Sequence, residues 1–185
     1  MVRKSVFLVL LTAALTLGPG VSHGGAVWPA PLFLTVEVAS SVPDPYFVLS
    51  GPIETYRSYP VNGWLREAFE EYGRQKAGGG EGRGVLRVRV DELTTRFRAI
   101  GSVADLRPER VFKTAVLRMR VSFQVDGSTL VERNLPVASE VSVGWDEVPR
   151  AGLYDFEDVL GRVIAQALAE TDSVVEEALR DSGRR

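Results

Sequence analysis

Residues Ala115 to Val125 read A-V-L-R-M-R-V-S-F-Q-V, and this alternation constrains the fold more than any other stretch. Ala115, Leu117, Met119, Val121, Phe123 and Val125 fall on one side of an extended strand. Val116, Arg118, Arg120, Ser122 and Gln124 fall on the other. Side chains alternate faces along a strand, so the spacing predicts one half-buried strand of a sheet. Asp126-Gly127 follows at once and suits a tight hairpin, because glycine accepts positive φ without steric cost. The returning strand runs from about Thr129 to Val137, and Pro136 marks it as an edge strand or as its end, since proline cannot donate to a ladder.

Two neighbouring stretches repeat the pattern. In Val85–Val90, Leu86, Val88 and Val90 share a face opposite Arg87 and Arg89. In Leu93–Ala99, Leu93, Thr95, Phe97 and Ala99 share a face opposite Arg96 and Arg98. The apolar parity shifts between Val90 and Leu93. A bulge or a turn at Asp91-Glu92 restores one buried face, and the bulged strand is the favoured solution. Leu32 to Val38 is a first strand. The Pro-rich stretch after it, with Pro43, Pro45, Pro52 and Pro60, reads as loop or edge structure. Tyr46, Tyr56 and Tyr59 within it either pin that loop to the body or line a ligand groove.

Two helices complete the pattern. Asn62 is an N-cap candidate for a helix over about Gly63–Lys76, with Trp64, Leu65, Ala68, Phe69 and Tyr72 as its apolar stripe. Gly78-Gly79-Gly80 and Gly82 end it. Asp155 is the N-cap candidate for the second helix, Phe156 to about Leu179, and Tyr154 and Val159 are spaced for a hydrophobic staple. Its stripe runs through Phe156, Val159, Leu160, Val163, Ile164, Ala167, Leu168, Val174, Val175 and Ala178, with Thr171 as a soft spot. The order β-α-β-β-β-α predicts an α+β two-layer sandwich: a mainly antiparallel sheet of about four strands with two helices on one face. The other face then carries Arg87, Arg89, Arg96, Arg98, Arg118 and Arg120.

The 185 residues are about one domain's length. Residues 1–26 read as a secretory signal peptide: Arg3 and Lys4, an apolar Val6–Leu17, a Gly18-Pro19-Gly20 break, and small residues before a cut near Ala26. The alternative is retention as a membrane anchor, although the apolar run is short for a full span. Residues 27–185 form the single domain. The chain contains no cysteine, which excludes disulfides, thiol nucleophiles and a lipidated cysteine after the signal. Its one histidine, His23, falls in the signal region, so the exported domain has neither the usual zinc ligands nor a histidine base. Residues Arg83 to Arg120 are rich in arginine, with Lys113 among them, whereas Asp126 to Glu177 is acidic. The formal net charge is only −2. Internal pairing accounts for that asymmetry more simply than steering of a charged partner.

Tyr59–Phe69 (Y-P-V-N-G-W-L-R-E-A-F), Leu86–Phe97 (L-R-V-R-V-D-E-L-T-T-R-F), the strand-Asp-Gly-strand of Ala115–Leu130 and the terminal helix containing A-Q-A-L-A together resemble the ABC-type transport auxiliary lipoproteins, which include the paraquat-inducible intermembrane-transport lipoprotein. The resemblance covers most of the exported chain. It implies a non-enzymatic α+β accessory component of an envelope transport system for lipids or other apolar molecules, exported to the periplasm. It also implies partners that are envelope transport proteins, either a permease-associated or a substrate-binding protein. The chain departs from that family in lacking the lipidated cysteine. It also resembles, less closely over Tyr59–Phe69, the lipopolysaccharide-assembly lipoprotein that plugs an outer-membrane barrel.

For the six arginines two readings stand: a face that binds an acidic partner or anionic lipid through bidentate guanidinium contacts, or a polar coat on an exposed antiparallel sheet. The carboxylate pairs Asp91-Glu92, Asp146-Glu147 and Glu157-Asp158 do not build an enzyme site by adjacency alone, because neighbours in a strand or helix diverge. No catalytic, cofactor or metal site is expected. Nucleic acid is not an expected partner of an exported domain with few exposed sheet aromatics.

Overall fold

The computed structural model describes residues 32–50, 55–79, 82–101, 109–144, 146–147 and 153–183. The signal segment lies outside the described residues, as does Pro52. The elements are β1 (Leu32–Ser40), β2 (Tyr46–Ser50), β3 (Thr55–Tyr59), α1 (Val61–Lys76), β4 (Gly82–Ile100), β5 (Arg110–Val125), β6 (Ser128–Gly144) and α2 (Glu157–Asp181). A four-stranded sheet has the order β1-β4-β5-β6. β4, β5 and β6 are antiparallel neighbours, while β1 joins β4 in parallel, with Leu32 opposite Gly82 and Ser40 opposite Val90. This is the α+β sandwich expected, with two short strands added.

The alternation of β5 holds along its whole length. Val111, Lys113, Ala115, Leu117, Met119, Val121, Phe123 and Val125 are all buried. β4 is one strand of 19 residues whose register slips between Val90 and Glu92, so the bulge at Asp91 returns Leu93 to the core face. Asp126 and Gly127 both take positive φ, 49° and 79°, the handedness that matches the twist of the strands they join. β6 continues to Gly144, well past Val137, and Pro136 sits mid-strand opposite Arg118 on the sheet's edge.

Both helices cover the inner face. α1 lies on β1. Gly73 makes that approach close, since a Cβ there would meet Val36 Cγ2 at 2.6 Å. α2 lies on β5 and β6 and touches α1. Its stripe is buried as expected. Thr171 is buried too, and its hydroxyl donates to Ala167 O at 2.7 Å, which satisfies the one polar group in the stripe.

One local expectation is borne out in its edge form and two are corrected. The Pro-rich stretch forms an antiparallel hairpin, β2–β3, which packs on the inner face through buried Val48 and Tyr59. Asn62 lies in the first turn of α1, which begins directly after Pro60, and its Nδ2 donates to Val42 O at 2.8 Å. Phe156, not Asp155, holds the N-cap position of α2; Asp155 Oδ1 accepts from Glu157 N–H at 3.1 Å from one residue earlier. Asn62 and Asp155 are capping types, but tertiary partners claim their side chains.

Candidate functional site

The outer face of the sheet carries the six arginines, but it does not group them as one basic patch. Pairing divides them by position along β4 and β5. At the end where β1 begins, Arg87 Nε meets Glu37 Oε2 at 2.8 Å across the parallel pair. Arg89 Nε meets Asp91 Oδ1 at 2.9 Å, because the bulge brings that carboxylate back to its neighbour. Arg118 meets Glu92 at 3.2 Å, directly opposite across the ladder. Arg120 donates to the side-chain oxygen of Asn134 at 3.2 Å. This proximal half is largely neutralised, and its pairs are exposed and screened by water.

The distal half differs. Arg96 stands opposite Thr114, and Arg98 lies over the Phe112 ring at 4.7 Å. Among the described residues neither guanidinium has a carboxylate partner. Ile100, exposed, follows on the same face. On the opposite layer the β2–β3 hairpin caps this half of the core. Tyr46 Oη reaches Leu93 O at 3.1 Å, and Phe97 and Tyr154 stack at 5.5 Å beside it. The hairpin's outward side presents Phe47, Leu49 and Tyr56, which are 59%, 51% and 64% exposed. On the outer face the distal end therefore sets Arg96 and Arg98 beside exposed Ile100, and the proximal end sets Arg83 opposite exposed Phe33.

A polar cluster that sequence patterning misses locks the hairpin to α2. Lys113 occupies a core position of β5 and is only 1% exposed, although its sequence neighbourhood suggests the basic outer face. Its ammonium donates to Asp155 O at 2.6 Å and to Asp158 Oδ2 at 2.7 Å. Arg57 from β3 meets Asp155 Oδ2 at 3.2 Å. Tyr59 Oη donates to Asp155 Oδ1 at 3.1 Å and accepts from Phe156 N–H at 2.9 Å. Burial pushes the Tyr59 hydroxyl up to about 12, partly countered by the Phe156 N–H it accepts. The signal for Lys113 was its odd-numbered parity with Val111 and Ala115.

A second cluster ties the helices together. Tyr72 Oη donates to Asp172 Oδ1 at 2.9 Å, and Lys76 reaches Asp172 at 2.7 Å and Glu176 at 3.7 Å. Burial, then the charge and hydrogen bond of Asp172, raise the Tyr72 hydroxyl well above its ordinary value. Both clusters hold packed elements in place. Among the described residues no group of three or more His, Cys, Asp or Glu side chains is arranged to hold a metal ion. No helix among them is long and apolar enough to cross a membrane.

No family model and no curated protein matches the chain. Similar solved structures include the rare lipoprotein B of Shewanella oneidensis, at 9% identity and a TM-score of 0.48, covering 80% of this chain and 98% of that one. A Xanthomonas campestris protein of the DUF330 family matches at 13% identity and a TM-score of 0.48, covering 85% and 92%. A minor lipoprotein of Acinetobacter baumannii matches at 16% identity and a TM-score of 0.36, covering 80% and 93%.

Proposed function

We propose that this protein is an exported, non-enzymatic accessory component of an envelope ABC-type transport system for lipids or other apolar molecules, acting by binding. Its partners are a permease-associated or substrate-binding protein of that system, and anionic lipid at its distal end. The observation that carries the reading is the grouping of Arg96 and Arg98, without carboxylate partners among the described residues, with exposed Ile100 on one face of β4. Guanidinium groups bind phosphate oxygens in a bidentate way, and exposed Ile100 on the same face suits the acyl boundary. The export signal and the resemblance of the sequence to transport auxiliary lipoproteins support the envelope setting.

The test is sedimentation of the full chain with vesicles of phosphatidylglycerol and phosphatidylcholine. Double reversal of Arg96 and Arg98 to glutamate weakens binding by at least about tenfold, since each basic residue near an anionic surface contributes on the order of 1 kcal/mol. The same reversal of Arg87 and Arg118 changes binding by about twofold or less, because those residues stand several residues along the strands from the proposed contact, beyond about one Debye length. Equal losses in the two variants, or no binding by the unaltered chain, would overturn the lipid-binding reading.

A further inference from the structure

We propose that the outer edge of β6 between Ser128 and Leu135, with the groove it forms against the last turns of α2, accepts an extended peptide segment of alternating apolar and basic residues. β6 is the last strand of the sheet, and no strand among the described residues pairs with its other edge. Pro136, opposite Arg118, has no N–H, so its backbone nitrogen belongs on the open side. Alternation along an antiparallel strand then turns the N–H and C=O groups of Asn134 and Glu132 outward as well. Val131, Arg133 and Leu135 spend theirs on β5.

Those outward groups border a groove rather than open solvent. Along the far part of β6, Val137, Val141 and Val143 are buried. At the start of the strand the inner-face residues Val131 and Leu135 are only half-buried and Arg133 is exposed. What remains is a groove of about 310 Å³ lined by Leu130, Val131, Arg133, Val174, Glu177 and Asp181, among others. Leu130 reaches it because the register slips there: Phe123 faces Val131 while Gln124 faces Thr129, which leaves Leu130 as the bulged residue. A further strand laid along β6 would place alternate side chains in this groove, the arrangement in which main-chain bonds give affinity and side-chain pockets give specificity.

Charge selects the sequence of that strand. Arg133 meets Glu177 at 2.7 Å across the groove, which leaves Asp181 on the helix wall without a cation among the described residues. At the groove itself the α2 wall brings Glu177 and Asp181 against Arg133 from β6. Apolar residues fit Leu130, Val131 and Val174, and a basic residue fits the acidic wall. A free acyl chain would use the groove but none of the backbone groups beside it.

The probe is a blocked octapeptide of alternating valine and lysine, titrated into the full chain by fluorescence anisotropy, with amide hydrogen exchange read on the complex. Binding slows exchange at Glu132 and Asn134 by at least about tenfold, and N-methylation of alternate peptide nitrogens weakens affinity by at least about tenfold. A valine–glutamate peptide binds more weakly than the valine–lysine one. Asn134→Pro abolishes binding without disturbing the ladder to β5, since the lost N–H points outward; an unchanged melting curve checks this. If that variant does not fold, the N-methylated peptide decides alone. No binding at millimolar peptide, equal affinity for the N-methylated peptide, or protection confined to other strands would each overturn the proposal. Vesicle binding at the distal end is read separately and does not bear on this result.

Discussion

Lys113 and Arg118 stand on the same strand, on opposite faces of the sheet, and each meets one carboxylate. Arg118 and Glu92 are both more than half exposed, at 3.2 Å, so water does most of the work of solvating them. Lys113 is almost wholly buried, at 2.7 Å from Asp158, and also needs the Asp155 carbonyl to satisfy its ammonium. The first pair is one of several interchangeable contacts on a wet surface. The second fixes where α2 starts and where the β2–β3 hairpin rests. The two sites share a charge type and differ in consequence because desolvation makes an unpaired buried charge costly, while an exposed one merely returns to water.

Charge reversal at the two positions separates them most sharply. Lys113→Glu sets a buried carboxylate against Asp158 and the Asp155 carbonyl, and should cost about 3–5 kcal/mol, read as a shift in the urea midpoint at constant slope. Arg118→Glu should cost about 1 kcal/mol or less in the same measurement. Comparable losses would break the comparison.

The next largest effect concerns pH. In Tyr72 and Tyr59 the folded hydroxyl holds its proton more tightly than the unfolded one. Their contribution is complete below about pH 10. Above it the unfolded chain releases protons that the folded chain keeps, so stability falls as pH rises, by up to about 1.4 kcal/mol per pH unit for each group. For Tyr59 the loss is spread up to its folded value of about 12. Tyr72→Phe should lower stability at pH 7 by about 1 kcal/mol and flatten the alkaline limb of the profile. An unaltered limb would show that Tyr72 does not sense its burial and the Asp172 charge.

The smallest effect is the coupling of Glu92 with Arg118. A double-mutant cycle with Glu92→Gln and Arg118→Gln should give about 0.2–1 kcal/mol at low salt and nearly nothing at 1 M salt. A coupling that survives high salt would move this pair toward the behaviour of Lys113.

Much of this fold was legible from spacing. The parity of Ala115–Val125, the shift at Asp91, the Asp126-Gly127 turn and the stripe of α2 are local signals, and each reflects a choice the backbone makes within a few residues. The β2–β3 hairpin was not legible, because Pro43, Pro45 and Pro52 flank segments of only five residues that have no lasting alternation. Its stability comes from Val48, Tyr46 and Tyr59 docking onto distant parts of the chain. The candidate surface was legible as a set of arginines and not as two halves. Whether a guanidinium finds a carboxylate depends on register across strands far apart in sequence, as with Arg87 and Glu37.

The sequence by itself determined which residues are apolar on one side, where the chain turns, and that a four-stranded sheet must be covered by two helices. Those properties follow from periods of two and 3.6 residues and from the steric limits of proline and glycine. Only the tertiary structure decided that β1 lies parallel to β4, that Lys113 is a core residue, and that Arg96 and Arg98 stand without carboxylates among the described residues while Arg87, Arg89 and Arg118 are paired. The reason is physical: a charge's energy is set by what surrounds it in space, and surroundings in space are assembled from residues tens of positions apart.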